Sequence, residues 1–197
     1  RRVLFRSIKC SQEVDLNKFA GMDCYVGVDL AATSDLTAVA YLVVLDGTYH
    51  FKTHYYLPES ALKDKADKEL YKYWKQQGYL TVTSGNVTDY DYITTDMLRY
   101  ADVVNIQSVG YDKYNATQWA IDSTEQGLPL EEYPQTLGNF NMPTRELERL
   151  ILSGKAVIDN NEINRYCFRN VTLKSDYNGN VKPNKAVDKK KIDGTIA

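Results

Sequence analysis

Cysteine and histidine are scarce in this sequence of 197 residues, and both shortages limit the chemistry it can perform. The three cysteines, Cys10, Cys24 and Cys167, are scattered and form no CxxC pair. An odd, scattered set argues against a zinc site and a disulfide framework, and it indicates a reducing compartment. The two histidines, His50 and His54, lie on one predicted strand without an obvious partner, so a surface or edge role is favoured over catalysis.

Long apolar runs are also missing. No stretch approaches the roughly 18 residues that cross a bilayer, so we expect no membrane partner. The basic start, RRVLFRSIKC, lacks the apolar centre and small-residue cleavage site of a signal peptide. No G-x-x-x-x-G-K-[ST] loop for nucleotide phosphates is present, because Gly154 and Lys155 are followed by Ala156. We therefore predict no ATPase motif in this chain.

The charge is small overall but unevenly distributed. The formal net charge is −2, which by itself predicts no polyanionic partner. From residue 155 to the end, nine Lys and Arg stand against five Asp and Glu, so a basic end follows an acidic body. This pattern favours one face that meets phosphates, and a solvated charged surface is the alternative.

Hydrophobic periodicity predicts a mixed α/β domain with a central sheet. Three apolar segments predict an opening antiparallel meander, with Asp46 and Gly47 as the turn between its second and third strands. Predicted strands cover 24–30, 36–45, 48–57, 80–83, 105–112 and 130–133, and predicted helices cover 58–77, 89–104, 115–127, 144–154 (capped by Thr144) and 161–171. Residues 170–176 are predicted to be extended, 177–184 to form a turn or loop, and 189–197 to begin a last helix.

Two acidic residues end apolar strands of this predicted sheet. Asp29 follows YVGV, and Asp112 follows SVGY. In open α/β sheets, ligands gather at the carboxyl ends of strands. Carboxylates held close together there raise one another's pKa unless a cation compensates, and oxygen ligands select hard ions such as Mg²⁺ or Mn²⁺. The alternative is that each Asp caps the turn or helix that follows it.

Asp193 is a third candidate ligand. It follows Lys189, Lys190, Lys191 and Ile192 at the start of the last predicted helix. One interpretation is a third metal-binding carboxylate beside lysines that attract DNA phosphates. The other is an ordinary acid in the first turn of a helix, next to a solvated run of charge.

Three motifs, in this order, carry a resemblance to a known family: VGVDLAATSDLTAV, GYDKYNATQW and KKKIDGTIA. The segments between them agree: MPTRELERLILSG, NNEINRYCFRNV and GNVKPNKAVDKKKIDG. From about Tyr25 to the end, the chain resembles the nuclease domain of tailed-bacteriophage terminase large subunits of the HK97-like group. The family's three acids fall on Asp29, Asp112 and Asp193.

The resemblance implies an α/β domain of RNase H-like fold, with a central mixed β-sheet flanked by α-helices. It implies an endonuclease that cuts concatemeric double-stranded viral DNA during genome packaging. Residues 1–20 would then lead in from an absent upstream ATPase domain, and residues 21–197 would form the nuclease domain. The implied partners are DNA, that packaging ATPase, the portal and the small terminase subunit. The implied location is the host cytoplasm, outside the mature virion.

Three further residues match the family pattern. Asp35 falls in the turn before the second strand, where we expect it to shape the turn or to support the metal site. Asn170 is expected to fix backbone. Lys185, together with the lysines of the KKK run, is expected to contact DNA phosphates.

The hypothesis from the sequence is hydrolysis of phosphodiester bonds by two divalent ions roughly 3.5–4 Å apart. Asp29 would be shared between the ions, while Asp112 and Asp193 would each hold one. Other interpretations stay open: a junction resolvase or integrase with the same three acids, an actin-like or sugar-kinase ATPase, and a non-catalytic module that docks on DNA or a portal. Comparing cleavage of plain plasmid with cleavage of branched DNA tests the resolvase alternative. Thermal stabilisation of the protein by ATP tests the ATPase alternative.

Overall fold

The computed structural model describes residues 10–33, 35–63, 67–114, 116–187 and 190–197. The strands are β1 (Ser11–Gln12), β2 (Asp23–Asp29), β3 (Thr37–Leu45), β4 (Thr48–Pro58), β5 (Thr81–Thr83), β6 (Asn105–Tyr111), β7 (Leu130–Glu132), β8 (Ala156–Asp159), β9 (Val171–Ser175) and β10 (Val181–Lys185). The helices are α1 (Lys68–Gln76), α2 (Tyr90–Ala101), α3 (Thr117–Glu125), α4 (Leu137–Ser153), α5 (Glu162–Asn170) and α6 (Asp193–Ile196), and short 3-10 helices cover Leu16–Phe19 and Glu59–Lys63. Among these helices, none is both long and apolar enough to cross a membrane.

The central sheet is mixed, as predicted. Its described strands follow the order β1-β8-β4-β3-β2-β6-β7, with β5 also paired to β4. β2, β3 and β4 form the predicted antiparallel meander. Asp46 and Gly47 take positive φ angles of 50° and 72° in the turn between β3 and β4, the conformation that a tight hairpin requires.

Each face of the sheet has its own core. On one face, Val26, Val28 and Val39 pack with Met97 of α2 and Trp119 of α3. Because side chains alternate along a strand, the residues between these valines point to the other face. Gly27 and Asp29 therefore belong to the second face.

The second face is covered by α1 and α5. Ala38 and Tyr55 pack there with Trp74 of α1 and with Ile163 and Cys167 of α5. A smaller cluster joins the end of α4 to β8 through Leu150, Ile151 and Ile158. The sheet is thus sandwiched between helices, and its strand ends are left accessible.

The helix predicted over residues 58–77 is wrong in its first half. β4 continues to Pro58, which pairs with Thr83 of β5, and a 3-10 helix follows. The α-helix itself begins at Lys68. Within this helix Tyr71 is buried, whereas Tyr73 is 42% exposed. The pairing of β4 with β5 overrides the apparent helical start at Pro58.

The predicted cap at Thr144 is wrong as well. α4 begins at Leu137, and the hydroxyl of Thr136 accepts a hydrogen bond from the backbone N–H of Asn139 at 3.2 Å. Pro143 lies inside the helix. Proline removes a helical hydrogen bond, so the sequence favoured a boundary there. The helix continues because its first turn packs Phe140 into the fold, where that side chain is 9% exposed.

Three of the described strands lie where none was predicted. β1 lies near the start of the chain, β8 is the short apolar segment that ends at Asp159, and β10 lies in residues predicted to form a turn or loop. β10 pairs with β9 in an antiparallel hairpin, with Lys185 opposite Val171. Asp176 closes its turn by accepting backbone N–H groups from Asn178 and Asn180, each at 2.9 Å.

Residues 10–20 already contribute to this fold. β1 pairs with β8, and the backbone N–H of Val14 donates to the carboxylate of Asp159 at 3.0 Å. Val14, Leu16 and Phe19 are buried in the core. The interpretation of residues 1–20 as a lead-in from an upstream domain remains a prediction.

Candidate active site

Asp29 and Asp112 come side by side at one edge of the sheet. Asp29 is the last residue of β2, and Asp112 directly follows β6. The two strands are parallel neighbours, with Val28 paired to Tyr111. The next residue after each of these two is an acid, so the backbones of the two acids are separated by about the strand spacing of 5 Å.

Asp193 reaches the same edge from the second face of the sheet. It opens α6, which packs against β2 and β3. Two glycines permit this approach. A Cβ atom on Gly27 would overlap the backbone of Ala197, and a Cβ atom on Gly194 would overlap the hydroxyl of Tyr55. The glycine that follows Asp193 in the sequence is therefore what lets this helix lie flat against Tyr55.

The three acids repel one another electrostatically. The pKa of Asp29 is raised from its ordinary value of 3.8 to about 7, mainly by burial and, to a smaller extent, by the charges of Asp193 and Asp112. A hydrogen bond from Gln135 and the charge of Lys185 act in the opposite direction. Burial also raises the pKa of Asp193. A cation between these carboxylates would relieve the repulsion.

Asp193 has an unsatisfied oxygen. The residue is 7% exposed, and its Oδ2 atom is buried with no hydrogen-bond partner among the described residues. Buried polar atoms are nearly always paired, so an unpaired carboxylate oxygen indicates a missing partner. Because Asp193 lines the same cleft as Asp29, a hard divalent cation fits this oxygen better than a neutral group does.

Asp112 is engaged by backbone groups. Its Oδ1 accepts the N–H of Tyr114 at 2.9 Å, and its Oδ2 accepts the N–H of Gln135 at 3.3 Å. As the side chains stand, no three His, Cys, Asp or Glu side chains in the described ranges are close enough to hold one ion.

A cleft of about 370 Å³ opens at this edge. Its charged lining consists of Asp29, Asp35, Asp193, Lys182 and Lys185. Asp112 instead lines a neighbouring apolar groove of about 400 Å³. Gln135, Phe140 and Ile196 line both spaces, which are therefore contiguous. The two lysines come from β10, so the unpredicted strand supplies the positive side of the cleft.

The remaining lysines proposed for DNA binding have different surroundings. Lys191 forms an ion pair with Asp35, which ties the β2–β3 turn to the segment before Asp193. Lys190 lies over the ring of Tyr166, with its Nζ 5.7 Å from the ring centre. Lys189 lies outside the described residues.

Asn170 does hold backbone near the site. Its side chain donates to the carbonyl of Lys191 at 3.4 Å, two residues before Asp193. The histidines are elsewhere. His54 contacts the rings of Tyr41 and Tyr100, and neither histidine lines the cleft.

Sequence reasoning missed Gln135. It lies between β7 and α4, and it hydrogen-bonds to both Asp29 and Asp112. No local pattern distinguishes this glutamine from its neighbours. Its position becomes meaningful only after β7 pairs with β6 and returns the chain to the acids.

The family model for "Terminase large subunit, endonuclease domain" matches residues 6–197. Among curated proteins, the chain is similar to Protein YmfN of Escherichia coli strain K12, with 31% identity over 94% of this chain and 44% of that protein. It is also similar to the large terminase subunit of Enterobacteria phage HK97, with 28% identity over 88% of this chain and 35% of that protein. The chain thus spans less than half the length of these relatives.

Solved structures agree with the sequence matches. The crystal structure of the HK97 large terminase matches with a TM-score of 0.85 and 26% identity, over 97% of this chain and 40% of that one. The large terminase nuclease from thermophilic phage G20c, crystallised with bound magnesium, matches with a TM-score of 0.62 and 10% identity, over 98% of this chain and 92% of that one. The predicted RNase H-like fold class is confirmed.

Proposed function

This chain belongs to the family of terminase large-subunit endonuclease domains, and we propose that it is a metal-dependent endonuclease that cuts concatemeric double-stranded viral DNA during packaging. The observation that supports this most directly is the cleft that Asp29 and Asp193 share beside the strand end that carries Asp112, with an unpartnered buried oxygen on Asp193.

The donor set fits Mg²⁺ or Mn²⁺. All three candidate ligands are carboxylates, which hard divalent ions prefer. When bound, two such ions supply an activated water and stabilise the leaving 3′-oxygen. The carboxylate of Asp29 interacts electrostatically with both Asp193 and Asp112. We therefore propose that Asp29 would be the ligand shared by the two ions. Asp112 and Asp193 would each hold one ion.

The lysines of β10 are proposed to bind the DNA backbone. Lys182 and Lys185 line the cleft beside the acids, and their charges favour an incoming phosphate. Lys185 also lowers the pKa of Asp29 and of Asp193, so it helps to keep the acids ionised. Phosphate contacts of this kind orient DNA without reading its sequence.

The rest of the packaging machinery belongs to the same proposal. The matched relatives are more than twice as long as this chain, and they include large terminase subunits. We propose that the domain works next to a packaging ATPase domain, with the portal and the small terminase subunit as further partners, in the host cytoplasm.

The decisive test is cleavage of supercoiled plasmid. With Mn²⁺ the protein is expected to nick and linearise the DNA, whereas EDTA or the Asp112→Ala variant should stop cleavage, because each removes part of the metal site. Gel electrophoresis over time is the measurement. Cleavage that persists in EDTA, or that is confined to branched DNA, would refute the proposal.

Lys185→Ala is expected to weaken DNA binding uniformly across sequences and to reduce the slope of log affinity against log salt by about 1, because one phosphate contact is lost. Fluorescence anisotropy of a labelled duplex in EDTA, over a range of salt, measures this without cleavage. Lys155→Ala is the matched control, since Lys155 is exposed and precedes β8 at the opposite end of the sheet. An unchanged slope in Lys185→Ala would remove this lysine from the DNA-binding surface.

A further inference from the structure

We propose that Gln135 is a positioning residue that holds the Asp29 carboxylate ready for a divalent ion, an inference that rests on the proposed function. Gln135 does not touch the reacting atoms in this proposal. It acts through the carboxylates, whose orientation it fixes.

Gln135 makes three contacts at the site. Its side-chain Nε2 donates to Oδ1 of Asp29 at 3.3 Å, and its backbone N–H donates to Oδ2 of Asp112 at 3.3 Å. Its carbonyl accepts from Nζ of Lys182 at 3.0 Å. One residue therefore joins two of the acids to the hairpin that supplies the lysines.

The segment that carries Gln135 is itself held firmly. The backbone N–H of Tyr133 donates to the carbonyl of Tyr111 at 2.7 Å. The Tyr133 hydroxyl donates to the carbonyl of Asn139 at 2.7 Å, and the Asn139 side chain donates to the carbonyl of Pro134 at 2.9 Å. Side chains that orient a metal ligand are effective only on such a rigid frame.

The side-chain amide of Gln135 is chemically suited to orient the Asp29 carboxylate. The amide N–H donates to the ionised form of Asp29 and so offsets part of the effect of burial and of Asp193. It engages one oxygen of Asp29, so the other oxygen is available to an ion. A carboxylate at position 135 would add repulsion, and a lysine would compete with the ion for Asp29.

Groups that orient metal ligands in this way typically change metal affinity by about 10- to 100-fold when they are removed. Gln135→Met keeps the length of the side chain and removes the N–H donor. We expect this variant to bind Mn²⁺ about 10-fold or more weakly, with the Mn²⁺ concentration for half-maximal plasmid cleavage raised to match. Its rate at saturating Mn²⁺ should stay close to that of the unchanged protein, because the ligands themselves remain.

Calorimetric titration with Mn²⁺ in the absence of DNA and a Mn²⁺ titration of cleavage are the two measurements. Gln126→Met is the matched control, since Gln126 is exposed directly after α3 and, among the described residues, its side chain donates to the carbonyl of Asp122. A variant that loses activity at all Mn²⁺ concentrations, with a lower urea midpoint, would mean that Gln135 is merely structural.

The possible outcomes distinguish a failure of the role proposed for Gln135 from a failure of the proposed nuclease function. Unchanged Mn²⁺ affinity in Gln135→Met, with metal-dependent cleavage by the unchanged protein, overturns the role of Gln135 alone. If the unchanged protein neither binds Mn²⁺ nor cuts plasmid, the proposed function itself fails and this inference fails with it.

Discussion

The Asp29→Asn variant is expected to lose Mn²⁺-dependent plasmid cleavage by a factor on the order of 10³ or more, as removal of a central catalytic group commonly does. Asparagine keeps the shape of the side chain and an oxygen that accepts from Gln135. It loses the negative charge that a shared metal ligand needs. The loss of activity should therefore come without a loss of structure.

The same substitution is expected to stabilise the metal-free fold at high pH. The pKa of Asp29 is about 7 in the folded chain against an ordinary value of 3.8, so the folded state holds the proton more tightly than the unfolded state. The proton's contribution to folding is complete below about pH 4 and is lost as the pH rises through 7. Asparagine removes this loss, which is worth up to about 4 kcal/mol at pH 8.

Urea unfolding in EDTA at pH 4 and pH 8 measures this effect. Asp29→Asn should raise the free energy of unfolding at pH 8 and change it little at pH 4. Asp102→Asn is the matched control, because Asp102 is exposed at the end of α2. Equal destabilisation of Asp29→Asn at both pH values would show that Asp29 has a structural role.

The Gly194→Ala variant is expected to reduce cleavage by about 10²-fold, the scale of loss that a 1 Å displacement of a catalytic group can cause. The added methyl group would overlap the Tyr55 hydroxyl. Tyr55 cannot move aside easily, because it is 1% exposed and its hydroxyl donates to Asn164 at 2.6 Å. The start of α6 has to shift instead, and Asp193 shifts with it.

Plasmid cleavage at saturating Mn²⁺ is the measurement for Gly194→Ala. Gly138→Ala serves as its control, since the nearest atom to a Cβ there is the Thr136 hydroxyl oxygen at 3.9 Å. Full activity in Gly194→Ala alone would mean that the position of Asp193 does not limit the reaction.

Local patterns in the sequence predicted the part of the fold that holds two of the acids. The β2–β3–β4 meander follows from apolar strands and the turn at Asp46 and Gly47, which are properties of adjacent residues. The strand that leads to Asp112 was also predicted from its local apolar pattern. Their pairing brings Asp29 and Asp112 together, as the chemistry of strand ends suggested.

The supporting contacts could not be predicted because they join distant residues. Lys191 forms an ion pair with Asp35, which is far from it in the sequence. From the sequence alone, Lys191 was only one of three consecutive lysines. Gln135 reaches Asp29 only after β7 has paired with β6. The lysines of β10 lie in the cleft because that segment pairs with β9, whereas the residues Asn178, Gly179 and Asn180 alone indicated a loop.

The three acids are supplied by an early strand, a middle strand and the last described helix of the chain. A partly synthesised or proteolytically shortened chain can therefore build most of the sheet and still lack Asp193. On the proposed function, a copy that lacks Asp193 would not cut DNA. The capacity to cut would then depend on the acid that comes last of the three in the chain.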